Sequence, residues 1–236
     1  RLNISVAEIA LWDLGLFDLT PASLLGQDQS LLASGRLDNQ VSCWAATEGL
    51  IASGQSVSSS DTTSVIALFD HEEVGSSSAT GAAGPLLEHV LERLCIHEDL
   101  SRQDFINILG KSHCVSADNA HAVHHNYPER HDSSHSPLIN QGVVIKSNVG
   151  QRYATSSTSI APFIDACNKV KVPIQYFASR NNIACGSTIG PITATRLGID
   201  TIDVGIPQLS MHSAREVCGS QDPIFLRDAL LSYFAR

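Results

Sequence analysis

Short apolar runs alternate along this chain with longer stretches of helical periodicity. The runs fall at residues 64–69, 113–118, 142–148, 173–179 and 200–204. Helical patterns lie at 38–53, 85–94, 101–109, 155–168 (with Pro162 breaking it near its start) and 222–234, and a further one follows a Gly-rich turn at 185–191 and ends at Gly198. In the first of these, Val41, Trp44, Ala45 and Leu50 share one face. Ser101 followed by Asp104 is a capping-type start. Such alternation predicts an α/β fold, a mostly parallel sheet flanked by helices. About five core strands are expected, with edge strands and turns in residues 1–35. Residues 54–63, rich in serine, read as a loop, and Glu216 is expected on a helix after the loop at 205–213.

The run at 64–69 ends in Asp70-His71-Glu72-Glu73-Val74-Gly75. The carboxyl edge of an open α/β sheet is where sites form. Adjacent residues at a strand end need not point the same way. One carboxylate can ligate a metal while its neighbour serves as general base to a water. Alone, the pair also fits a solvated turn. Three more potential ligands stand at strand ends, loops or helix starts: Asp38, Asp118 and His212. Asp38 by itself also suits a helix N-cap. A two-metal hydrolase needs a bridging carboxylate, further Asp, Glu or His ligands and a carboxylate that takes a proton from water. Five histidines between His121 and His135 lie in a Pro- and Ser-containing loop, which reads as the lining of a neighbouring site. Lys146, at a strand end, reads by position as a solvated group. The turn at 185–191 could cradle an anion, although it lacks the P-loop signature.

The 236 residues carry a net charge of −9 and no long basic run, which argues against nucleic acid as the main partner. No apolar run approaches the roughly 20 residues of a membrane span. Six scattered cysteines, without a Cys-x-x-Cys pair, read as reduced thiols of a cytoplasmic protein. The chain opens on Arg1 and its one methionine is Met211, so it reads as cut, processed or truncated.

Seven segments, in order, resemble the M18 metallopeptidases, the aspartyl aminopeptidases. They are Gly-Arg-Leu-Asp-Asn at 35–39, Asp-His-Glu-Glu-Val-Gly-Ser at 70–76, Ser-Ala-Asp-Asn-Ala-His-Ala-Val-His at 116–124, and Asn-Tyr-Pro-Glu at 126–129. Gln-Arg-Tyr-Ala-Thr at 151–155, Cys-Gly-Ser-Thr-Ile-Gly-Pro at 185–191 and Ile-Pro-Gln-Leu-Ser-Met-His-Ser at 206–213 complete the set. The resemblance implies a phosphorylase/hydrolase-like zinc aminopeptidase fold. It implies two zinc ions per site and release of N-terminal Asp or Glu from peptides. By motif position Asp38 bridges the metals, Glu73, Asp118 and His212 are terminal ligands, and Glu72 is the general base. Lys146, Tyr153 and His124 contact substrate, the lysine suiting an acidic first side chain.

The family has a further histidine ligand in an N-terminal segment and a β-rich domain that builds a tetrahedral homo-oligomer. Here residues 1–30 read as the tail of that domain and its connection, and 31–236 as an incomplete catalytic domain. None of the ten histidines stands in the matching place, so one metal site is short of a ligand. Asn119, His125, Asn182 and His71 also depart from the family pattern. The alternative expectation is a fragment or assembly subunit that keeps the fold without hydrolysis. A zinc deacylase of similar chemistry does not account for the motif set.

Overall fold

The computed structural model describes residues 3–54 and 62–235, so most of the serine-rich stretch, 55–61, lies outside the described residues. Two sheets organise the chain. Strands β3 (His113–Ala117), β7 (Asp200–Gly205), β5 (Val143–Lys146) and β6 (Ile174–Phe177) form a central sheet in the order β3-β7-β5-β6. The β3/β7 and β5/β6 pairs are parallel, and β5/β7 is antiparallel. A second sheet of short strands follows the order β1 (Ser23–Leu25), β2 (Leu31–Ser34), β9 (Glu216–Gly219), β8 (Pro207–Leu209), β4 (Ala120–His121).

The main core lies between the central sheet and three helices: α1 (Leu37–Gly54), α4 (Ser157–Lys169) and α6 (Asp222–Phe234). Val143 and Ile145 of β5 and Ile202 and Val204 of β7 meet Val41, Phe163 and Leu226 of the helices. Successive strand side chains face opposite ways, so Val144 and Lys146 point to the other face of β5. There Val144 packs with Ala120, Tyr153 and Phe177. That face is the site. Helices α1 and α6 cross at Gly49, where a Cβ would sit 3.1 Å from the Leu231 nitrogen. Pro162 does not break α4, which runs unbroken through it. Burial of Phe163, Ala166 and Cys167 outweighs the one hydrogen bond a proline removes. Helices α2 (Leu86–His97) and α3 (Arg102–Lys111) pack together beside β3. Ser101 and Asp104 make the expected capping box. Helix α5 (Gly190–Leu197) completes the set.

Two expected elements are absent. Residues 64–69 form no strand. Val65 is 40% and Leu68 54% exposed, and the backbone there has no ladder partner among the described residues. An apolar run becomes a strand only where an unpaired neighbour can take its hydrogen bonds. Glu216 opens strand β9 rather than lying on a helix. Its segment pairs with β2 and β8 on both sides, which a helix would forgo. All six cysteines are unpaired, and no helix among the described residues is long and apolar enough to cross a membrane.

Candidate metal centre

Helix α1 begins irregularly. Asp38 (φ −85°, ψ 110°) and Asn39 (φ −119°, ψ 29°) depart from helical geometry, so Asp38 sits at the helix mouth with its carboxylate turned away from the first turn. It is not a capping residue. Its Oδ2 lies 3.1 Å from His212 Nε2, and its buried Oδ1 has no hydrogen-bond partner. The residue that fixes this arrangement is Glu216, 2% exposed. One carboxylate oxygen accepts the Asp38 N–H (2.9 Å) and the other the His212 N–H (2.8 Å). A single buried side chain thereby joins the α1 mouth to the 210–213 loop.

Glu72 and Glu73 stand on a single 3-10 turn, Glu72–Val74, instead of a strand end. His71 before it and Gly75 after it are left-handed (φ 62° and 99°), and the Ser76 N–H closes the turn onto the His71 carbonyl at 2.8 Å. The small residues that follow let the loop fold over this turn. A Cβ at Gly81 would meet the Ser76 carbonyl at 2.3 Å. The two carboxylates have different surroundings. Glu73 Oε1 lies 3.1 Å from His212 Nε2. Glu72 is half-buried, and its carboxyl is pushed up to about 7, chiefly by burial and then by Asp118 and Glu73, with Lys146 and His212 opposing.

Asp38, Glu73 and His212 each offer a ligand atom within 4.8 Å of the others. Burial, followed by Asp118, Glu73 and Glu216, pushes the Asp38 carboxyl up to about 8. Converging carboxylates repel one another unless a cation lies between them. The unpartnered Asp38 oxygen and the oxygen, oxygen, nitrogen donor set therefore fit a divalent metal, zinc among them. Asp118 is not in that triplet. Its Oδ2 is 3.1 Å from Lys146 Nζ, which also donates to the Asn119 carbonyl at 3.2 Å.

Lys146 is not a solvated strand end. It is 1% exposed, because it shares its face with Val144, and its Nζ lies 5.1 Å from the centre of the Tyr153 ring. Burial raises the Tyr153 phenol pKa. His124 is exposed and tilts against Tyr127 at 5.3 Å. All eight candidates (Asp38, Glu72, Glu73, Asp118, Lys146, Tyr153, His124 and His212) line one cleft of about 500 Å³. The histidine loop lines it too, through His121, His124 and His131. The 185–191 turn packs against a carboxylate of the chain itself. The carboxylate against it is Asp203, fully buried, which accepts from the Thr188 hydroxyl (2.5 Å) and the Ala154 N–H (2.6 Å). Sequence reasoning passes over Glu216, Asp203 and Arg130. The alternation in Glu216-Val217-Cys218, with its β-branched valine, is the signal that could have marked a strand.

Residues 1–234 match the family profile described as aminopeptidase I zinc metalloprotease (M18). A probable M18 family aminopeptidase 2 of Streptomyces coelicolor is 47% identical over 231 residues, 98% of this chain and 54% of that protein. Among solved structures, the Ape4 and Nbr1 complex has a chain with TM-score 0.87 and 41% identity, covering 93% of this chain and 42% of that one. The S. cerevisiae mApe1 dodecamer has TM-score 0.82 and 31% identity, covering 92% and 49%. The chain thus spans about half the length of the curated relatives it matches.

Proposed function

Because the chain belongs to the M18 zinc metalloprotease family, we propose that its cleft removes N-terminal Asp or Glu from peptides at a dinuclear zinc centre. The observation that carries this reading is the convergence of Asp38, Glu73 and His212 in one cleft with a further, half-buried carboxylate, Glu72. Asp38 is the bridging ligand in this reading, and Glu73, His212 and Asp118 are the outer ligands. When bound, zinc supplies a Lewis acid that lowers the pKa of water and polarises a carbonyl.

The rest is the work of the chain itself. A half-buried carboxylate beside the ligands can accept a proton at one step and return it at the next. Glu72 thus takes the proton of the attacking water and delivers it to the leaving amine. Lys146 stands at the floor with its ammonium against Asp118. With Asp118 among the residues that would hold zinc, the Lys146 ammonium would be the cation that pairs with an acidic first side chain. Tyr153 walls the lysine on one side, and His124 stands at the rim. Homo-oligomerisation in the tetrahedral form, with residues 1–30 as the tail of the assembling domain, belongs to the same proposal. The dodecameric state of mApe1 supports it. A cytoplasmic setting, which suits unpaired cysteines, belongs to the proposal as well.

The competing reading is a non-catalytic fragment or subunit. The engagement of Asp118 with Lys146 favours it, since the second metal is then left with few donors. Hydrolysis of Asp- and Ala-linked chromogenic amides separates the two. Cleavage of the Asp substrate far above the Ala substrate, lost by about 10²–10⁴-fold in Glu72→Gln, is the expected result. No cleavage, or cleavage that Glu72→Gln leaves intact, overturns the proposal.

A further inference from the structure

The cleft carries two permanent cations, Lys146 and Arg130. Lys146 is buried and already satisfied by Asp118 and the Asn119 carbonyl. Arg130 is exposed, and its guanidinium makes no hydrogen bond or ion pair among the described residues. It ends the 3-10 turn Pro128–Arg130. Both chain neighbours of Arg130 are fixed. The Arg180 guanidinium donates to the Glu129 carbonyl, and His131 Nε2 lies 3.2 Å from the His121 carbonyl. The His131 ring stands edge-on to Phe177 at 6.1 Å. Arg130 Cζ lies 5.9 Å from the centre of the Tyr127 ring. Such stacking orients the planar fork and leaves its N–H groups available to a carboxylate.

An enzyme acting on an amino terminus buries the first residue and lets the chain run out to solvent. The buried lysine lies on the inner side and the exposed arginine on the outer. We propose that Arg130 is a specificity-determining residue on the exit side of the cleft, where it binds a carboxylate of the peptide beyond the scissile bond. That carboxylate is either the C-terminus of a dipeptide or an acidic side chain on the second residue. The direction of the peptide rests on the aminopeptidase reading above. Because Arg130 is exposed, the contribution is modest, up to about fivefold in affinity, and salt weakens it.

Calorimetric titration of the zinc-loaded Glu72→Gln chain, with and without Arg130→Gln, tests this. Three ligands are used: Asp-Ala, Asp-Ala-amide and Asp-Glu-amide. Arg130→Gln is expected to weaken Asp-Ala, Asp-Glu-amide or both by up to about fivefold and to leave Asp-Ala-amide unchanged. Loss on Asp-Ala alone identifies the C-terminus, and loss on Asp-Glu-amide alone the second side chain. Arg130→Lys keeps the charge without the fork and is expected to recover part of the loss. Equal affinities throughout, equal weakening of all three ligands, or no binding by the Arg130 chain overturns the inference. Turnover of Asp-Ala by the Glu72 chain is read in parallel. Cleavage with Arg130-independent affinity sinks this inference alone, and Arg130-dependent binding without cleavage sinks the peptidase reading, and with it the direction of the peptide, while keeping the carboxylate contact at Arg130.

Discussion

Glu216 holds the backbones of two candidate ligands that lie 174 residues apart in sequence. Replacing it by Gln leaves an oxygen for one N–H and turns an amide donor toward the other. Groups that orient ligands in this way typically account for 10–100-fold in metal affinity. Glu216→Gln is therefore expected to weaken zinc binding by about that factor in a chelator competition, with an unchanged circular dichroism spectrum. An unchanged affinity would assign Glu216 to the fold alone. At this scale the sequence is informative where chemistry is local. Asp38, Glu72, Glu73, Asp118 and His212 are legible as candidates because acids and a histidine recur at the ends of elements, and they do share one cleft. Glu216 is not legible, because its importance depends on two N–H groups that only the tertiary fold brings to it. Lys146 is misjudged by position for a related reason. The alternation of β5 turns it inward, and its partner arrives from β3.

At the scale of elements, the junction of β9 and α6 carries a buried acid. Asp222 is fully buried, and its Oδ2 accepts the N–H groups of Asn140 (2.9 Å) and Gly219 (3.0 Å). Burial pushes its carboxyl up to about 7 against the pull of those bonds. The unfolded value is about 3.9. The folded chain thus binds this proton more tightly, and the stability it contributes is present below pH ~4 and lost as pH rises toward 7. The Oδ1 atom has no partner, so an asparagine can keep the Oδ2 bonds and place its amide there. Asp222→Asn is expected to flatten the decline in melting temperature between pH 5 and 8. At pH 8 the variant should be more stable, on the order of 1–3 kcal/mol. A variant that declines as steeply as the parent would refute this. Most elements are legible from periodicity, since α1, α3, β3, β5, β6, β7 and α6 fall close to their apolar patterns. The two misread strands share a cause. A strand is defined by its neighbours, which 64–69 lacks and Glu216–Gly219 has on both sides.

Over the whole molecule, the helix-covered side of the central sheet is a dense apolar core, and the opposite face holds a cleft with four carboxylates. Elsewhere large apolar residues meet solvent, among them Trp12, Leu14, Leu16 and Phe17 along the amino-terminal stretch and Val90 and Leu94 on α2. The α/β class with flanking helices is legible from the alternation alone. The second sheet is not, because its strands are two to four residues long and carry little period-two signal. The acids of that cleft gather around His212 and Lys146, and the proposed function places zinc among them. The measurement that bears on it most directly is the zinc content of the purified chain after dialysis, by elemental mass spectrometry, for the parent, Asp38→Asn and Glu72→Gln. The account predicts bound zinc in the parent, up to two per chain, nearly all lost in Asp38→Asn and fully kept in Glu72→Gln. A parent chain without zinc, or Asp38→Asn holding as much as the parent, would contradict it.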